Sequence, residues 1–216
     1  MERRAFLAGA AALGAGFATR SVPWPAAGAI PVAFLIGDHV NVIDLAGPWE
    51  VFQDVMIGPG HQEGFAPFTV APSSESVTGT GGLTFLPQHD LAHAPEARVV
   101  VVPAHHATAE SLEWLKRASR SADLVMSVCT GAFVLARAGL LDGLTATTHH
   151  EYQDALARDF PRVKVERGMR YIEHGHVATA AGLTSGIDLA LRVVERYYGG
   201  DQARATATYL EYRTRA

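Results

Sequence analysis

Cysteine is almost missing from this chain: one residue of 216, Cys129. A lone thiol excludes an intrachain disulfide and a cysteine-built zinc site, so Cys129 acts either as a free thiol or as a packed apolar group. Charge is also sparse, with charged residues at 19%, a formal net charge of −4 and no Lys/Arg run beyond the first residues. That balance argues against a nucleic-acid partner held through phosphate contacts. No internal repeat, low-complexity linker or charge block marks a second domain, and the length suits one. What is plentiful is apolar: hydrophobic residues make up 48%, the proportion of an ordinary globular protein rather than a disordered or fibrous one.

The N-terminus reads Met1-Glu2-Arg3-Arg4-Ala5-Phe6-Leu7, then an Ala/Gly-rich apolar stretch, then Ala27-Gly28-Ala29. The stretch is too short for a helix across a hydrocarbon core of roughly 30 Å, so no permanent membrane span is expected. Paired arginines, a weakly apolar segment and a small-residue triplet predict a twin-arginine-type signal peptide over residues 1–29, a domain over 30–216, and an exported protein, periplasmic or extracellular. The alternative is a frayed N-terminal helix of a cytoplasmic protein.

Beyond Pro31 short apolar runs alternate with amphipathic ones. Strands are expected at Val32–Ile36, ending at Gly37, and at Phe68–Ala71, Arg98–Val102, Leu124–Val128, Thr145–Thr148, Val163–Val165 and Val177–Ala180. Helices are expected at Pro48–Val55, with proline in the first turn, and at Ala109–Ser119, Gly131–Ala138, Glu151–Asp159 and Ser185–Tyr198. The unbroken valines before Pro103 suit a parallel strand covered on both faces. Alternating strands and helices predict a doubly wound, mostly parallel α/β sandwich.

Only Cys129-Thr130 separates the strand ending at Val128 from the helix opening at Gly131. The turn is therefore tight and needs small residues behind its apex, the geometry of a nucleophile elbow. At a helix amino end a thiol is expected to ionise easily, and the neighbouring amides, including that of Thr130, could hold a developing negative charge. The alternative is a buried packing cysteine. The carboxyl edge of a parallel sheet, where Cys129 falls, is where such proteins build ligand sites.

Ser127-Val128-Cys129-Thr130-Gly131-Ala132, with Ala138-Gly139-Leu140-Leu141-Asp142-Gly143 and Ala146-Thr147-Thr148-His149, resembles the ThiJ/PfpI superfamily, whose fold is shared with class I glutamine amidotransferases. Within it, Ile43–Phe52 and Ala181–Leu191 resemble the branch containing isonitrile hydratase and the sensor halves of AraC-type regulators. The resemblance runs from Pro31 to about Tyr212 and stops short of the regulators' DNA-reading half. It implies a flavodoxin-like sheet, a small-molecule substrate, no cofactor and a homodimer. It also implies that Asp44 is the acid/base group beside the nucleophile, whose burial would raise its pKa toward a useful range. The plainer role for Asp44 is an N-cap for the helix near Pro48.

His149 matches a histidine near the cysteine in several branches, and either orients or deprotonates Cys129 or only lines the rim. Catalytic candidates are thus Cys129, Asp44, Thr130 and His149. Candidate substrate-binding positions are Gly37, Ala104, His105 and Gly131. Pro103-Ala104-His105-His106 departs from the superfamily's usual Pro-Gly-Gly, which puts that half of an oxyanion hole in question. The histidine spacings fit no metal-ligand pattern, so no metal site is assigned. Three activities compete: isonitrile hydration, small-molecule binding without turnover, and glyoxalase or protein-repair chemistry.

Overall fold

The computed structural model describes residues 28–213. The main sheet has seven strands: β1 (Ile30–Leu35), β2 (Phe65–Ala71), β3 (His89–Asp90), β4 (Val99–Val102), β5 (Leu124–Val128), β6 (Tyr171–His174) and β7 (Val177–Ala180). Their order is β6-β7-β5-β4-β1-β2-β3. All pairings are parallel except β6 with β7. Helices α1 (Val42–Gln53), α2 (Ala109–Ala118), α3 (Gly131–Arg137), α4 (Gln153–Asp159), α5 (Ser185–Tyr198) and α6 (Gly200–Tyr209) cover it.

Side-chain alternation makes the sandwich. Val99 and Val101 enter a core with α1, α5 and α6, whereas Val100 and Val102 enter a second core with α2, α3 and α4. A strand buried on both faces needs apolar residues at every position, which is what its four valines supply. Phe34 of β1 meets Trp49 of α1 with ring centroids 5.1 Å apart and Phe52 at 6.3 Å, fixing that helix over the carboxyl end of the sheet.

Several expected bounds shift. The first helix begins at Val42, not Pro48, because Asn41 caps it by accepting from the Ile43 N–H (3.2 Å). Pro48 lies inside the helix, and Asp44 is a first-turn residue instead of an N-cap for a later helix. The strand expected over Thr145–Thr148 is only Thr145–Ala146, paired with Lys164–Val165 outside the main sheet. The helix expected from Glu151 is a short 3-10 turn, His150–Tyr152, leading into α4. No strand was expected for β6 or β3, and no helix for α6. The expected leader lies almost wholly outside the described residues; among those, no helix is long and apolar enough to cross a membrane.

Candidate active site

Four chain segments converge at the carboxyl ends of β1, β4, β5 and β7. Cys129 follows β5 with φ of +57°, a left-handed conformation that a side-chain-bearing residue adopts only when its surroundings enforce it. The enforcement is visible. The Cys129 N–H donates to the Ala181 carbonyl (2.6 Å), and the Cys129 carbonyl accepts from the Thr148 hydroxyl (2.7 Å) and the Ala132 N–H (3.3 Å). Thr148 is fully buried. Gly131 is required by close approach: a Cβ there would sit 2.0 Å from the Val102 carbonyl oxygen. Small residues behind the apex thus let α3 start immediately against β4.

Asp44 lies on the first turn of α1 with no exposed surface. One carboxyl oxygen accepts from the Ala104 N–H (3.2 Å), and the Ala104 carbonyl accepts in turn from the Asn41 N–H (2.8 Å). The other oxygen has no partner of full hydrogen-bond geometry. Burial pushes Asp44 up to about 7, while the Ala104 N–H, the Cys129 thiol and the Leu183 N–H pull partly the other way. Cys129 itself is 6% exposed. Burial, then the Asp44 charge, pushes the thiol up to about 11, opposed by the Thr130 and Leu183 N–H groups and the Thr130 hydroxyl. The expectation of an easily ionised thiol is therefore corrected. The Thr130 N–H, at the cap of α3, and the Leu183 N–H do favour the thiolate, but desolvation and a neighbouring carboxylate outweigh them. What results is a thiol beside a carboxyl that titrates near neutrality.

Ala104 and His105 keep ordinary φ values, so glycine's conformational freedom is not called on where the superfamily usually has it. The Ala104 N–H is instead committed to Asp44. His105 turns inward, its Nδ1–H donating to the Pro103 carbonyl (2.9 Å), with Nε2 buried and unpartnered. Burial holds it neutral, down at about 4. His106 is exposed and stacks on His39 at 4.5 Å. Gly37 is buried beneath that segment: a Cβ would lie 2.8 Å from the His106 carbonyl oxygen and 2.9 Å from the His105 ring.

His149 accepts at Nδ1 from the Glu151 N–H (3.3 Å) and packs over Gly182, where a Cβ would meet its ring at 2.3 Å. No hydrogen bond joins it to Cys129, and it is not among the groups that move the thiol's pKa. Thr184, at the start of α5, makes no capping bond and accepts from the Arg170 guanidinium (3.4 Å). Two residues escaped the sequence. Leu183 has φ of +52° and no glycine or asparagine to signal it, and the Thr148 contact with Cys129 spans 19 positions. Among the described residues no group of three or more His, Cys, Asp or Glu is placed to hold a metal.

The sequence pattern of the DJ-1/PfpI family matches residues 31–196. The chain belongs to the DJ-1/PfpI family. Isonitrile hydratase of Pseudomonas putida is 32% identical over 190 residues, covering 85% of this chain and 79% of that one. The HTH-type transcriptional regulator GbdR of Pseudomonas aeruginosa is 28% identical over 84% of this chain, which spans 50% of the regulator's length. Among solved structures, a ThiJ/PfpI family protein from Pseudomonas syringae superposes with a TM-score of 0.77 at 27% identity, covering 94% of this chain and 85% of that one. Drosophila melanogaster DJ-1beta, at 16% identity over 87% of this chain and all of that one, shares the fold with a TM-score of 0.75. The doubly wound sheet is thus the DJ-1/PfpI fold. The relatives also correct the expected export: a hydratase and transcriptional regulators are not by name secreted proteins, and an exported location is not carried forward.

Proposed function

We propose that this protein is a cysteine-dependent hydro-lyase that adds water to a small isonitrile, R–NC, giving the N-substituted formamide R–NH–CHO. The observation that carries the proposal is the Cys129–Asp44 pair: a thiol on a strained elbow beside a buried carboxyl poised at about 7, with 32% identity to isonitrile hydratase over most of both chains. A carboxyl with that pKa exchanges protons in either direction at neutral pH.

Cys129 is protonated at rest, so attack requires a base. The Asp44 carboxylate takes the thiol proton as the sulfur attacks the terminal isonitrile carbon, and the resulting carboxylic acid returns it to that carbon. The product is a thioimidate, R–N=CH–S–Cys129. Water then attacks the same carbon while Asp44 accepts one of its protons and passes it to nitrogen; collapse of the tetrahedral intermediate to the formamide carbonyl expels the Cys129 sulfur, and the hydroxyl proton passes through Asp44 to that sulfur, restoring the thiol. The net reaction is R–NC plus water to R–NH–CHO, with no electron transfer and no cofactor. The Thr130 and Leu183 N–H groups stabilise the thiolate whenever it carries charge. Gly131 lets Thr130 sit that close, Ala104 holds Asp44, and His149, Gly37 and His105 shape the surrounding loops. A homodimer belongs to the same proposal.

A second reading has its own support: GbdR matches 84% of this chain, and a thiol raised to about 11 suits a binding pocket that performs no chemistry. Turnover of cyclohexyl and aromatic isocyanides by wild type, Cys129→Ala and Asp44→Asn separates the two, with ligand-induced thermal shift measured beside it. Hydration by wild type, abolished in Cys129→Ala and reduced by roughly two to four orders of magnitude in Asp44→Asn, supports the enzyme. No turnover, with all three proteins stabilised equally by small ligands, establishes the binding protein instead.

A further inference from the structure

The loop from β7 to α5 carries Leu183, whose backbone N–H lies against both the Cys129 sulfur and the Asp44 carboxyl. It acts on both members of the pair without a hydrogen bond of full geometry to Asp44, and the loop itself is tied to the elbow by the Cys129 N–H, which donates to the Ala181 carbonyl (2.6 Å). With the Ala104 N–H committed to Asp44, the Leu183 N–H and the Thr130 N–H are the backbone donors on the sulfur. Yet Leu183 stands at φ of +52° and is itself exposed, a backbone state that persists only when something outside the residue holds it.

The holding groups come from the residue before β6, from α5 and from the tail after α6. The Arg170 carbonyl accepts from the Ala181 N–H (2.9 Å) at the loop's start. At its end the Arg170 guanidinium donates to the Thr184 hydroxyl (3.4 Å) and, through Nε, to the Asp188 carboxylate (2.6 Å). Tyr212, in the tail after α6, donates its hydroxyl to the other Asp188 oxygen (2.9 Å). One residue therefore grips both ends of a four-residue loop, and Asp188 joins that grip to the start of α5. Such a cluster is more than α5 needs to dock, since its apolar face is already buried through Leu189, Ala190, Val193 and Val194.

We propose that Arg170, Asp188 and Tyr212 are positioning residues that clamp the Ala181–Thr184 loop so that the Leu183 N–H stays on the Cys129 sulfur and the Asp44 carboxyl. They touch no substrate; their effect passes through the amide. This rests on Cys129 being the reacting group, but not on which substrate it meets.

The test needs no substrate. Cys129 is the only cysteine of the chain, so the ultraviolet absorbance of its thiolate, titrated against pH in each protein and corrected with the matching Cys129→Ala protein, reports this thiol alone. Asp44 is the charged group set against the thiol, and in every variant it remains. In Asp188→Asn and Arg170→Gln the thiolate midpoint is expected to rise by about one unit, a ten-fold fall in thiolate at fixed pH; Tyr212→Phe gives a smaller rise in the same direction. Arg192→Gln, which breaks the neighbouring pair with Glu173 (2.8 Å) without touching the loop, leaves the midpoint in place. A purely structural cluster would lower the melting temperature of Asp188→Asn, Arg170→Gln and Tyr212→Phe with the midpoint unmoved, and that result overturns the proposal. Should the first two fail to fold, Tyr212→Phe alone decides. Absence of isonitrile turnover would leave this outcome untouched.

Discussion

Replacing Asp44 with Asn should make the protein more stable, and by an amount that grows with pH. The carboxyl has its ordinary value of 3.8 in the unfolded chain and about 7 in the fold. Because the folded value is the higher one, Asp44 favours the folded state only while protonated. Its contribution is complete below the unfolded value and is lost as pH rises through about 7. At about 1.4 kcal/mol per unit the loss approaches 4 kcal/mol above the folded value, an upper bound since some solvent reorganises around the charge. Asn keeps an oxygen for the Ala104 N–H (3.2 Å) and carries no titratable proton. Urea denaturation of both proteins from about pH 4 to pH 8 isolates the effect, because other titrating groups cancel in the difference. The expected difference is under about 1 kcal/mol at the acid end and several kcal/mol in favour of Asp44→Asn at the basic end. A difference that does not change with pH would mean that Asp44 is solvated like a surface carboxylate, and the proton-transfer role would go with it.

Other substitutions test the elbow. Gly131→Ala forces a Cβ to within 2.0 Å of backbone and should cost several kcal/mol or abolish folding, seen as a collapse of the denaturation midpoint. Gly182→Ala meets the His149 ring at 2.3 Å; because a side chain can move, its loss should be largely recovered in the Gly182→Ala, His149→Ala double variant, as a double-mutant cycle would show. Thr148→Val removes the shorter of the two hydrogen bonds to the Cys129 carbonyl and leaves the Ala132 N–H on it; it should cost roughly 0.5–1.5 kcal/mol in urea denaturation, with Thr148→Ser recovering most of it. Ala104→Gly should lower stability by about 0.5–1 kcal/mol, because the native backbone there has no use for glycine.

The fold was legible where composition left few choices. Four consecutive valines fit only a strand covered on both faces, and the two residues between Val128 and Gly131 leave room only for a sharp turn. Pro48 misled because proline usually opens a helix, whereas here Asn41 caps it about two turns earlier. β6 was hidden by its mixed sequence Tyr-Ile-Glu-His at the sheet edge. In the site, Cys129 and Asp44 could be found from the turn and the family resemblance, but the thiol's pKa could not. A helix amino end is visible in sequence, while the desolvation that outweighs it depends on packing from α1, β4 and β7. Leu183 and the Arg170–Asp188–Tyr212 cluster were out of reach because their contacts join distant positions, and nothing in leucine advertises a left-handed backbone.

The pH dependence of kcat/KM for an isocyanide, in wild type and in Asp44→Asn, tests most directly the claim that Cys129 and Asp44 act together. If Asp44 is the base that takes the thiol proton, wild-type kcat/KM should rise through about pH 7 as the carboxyl ionises and then level off. In Asp44→Asn that limb should vanish and the rate fall by roughly two to four orders of magnitude. A wild-type profile flat through neutrality, or a limb that persists in Asp44→Asn, would contradict the account.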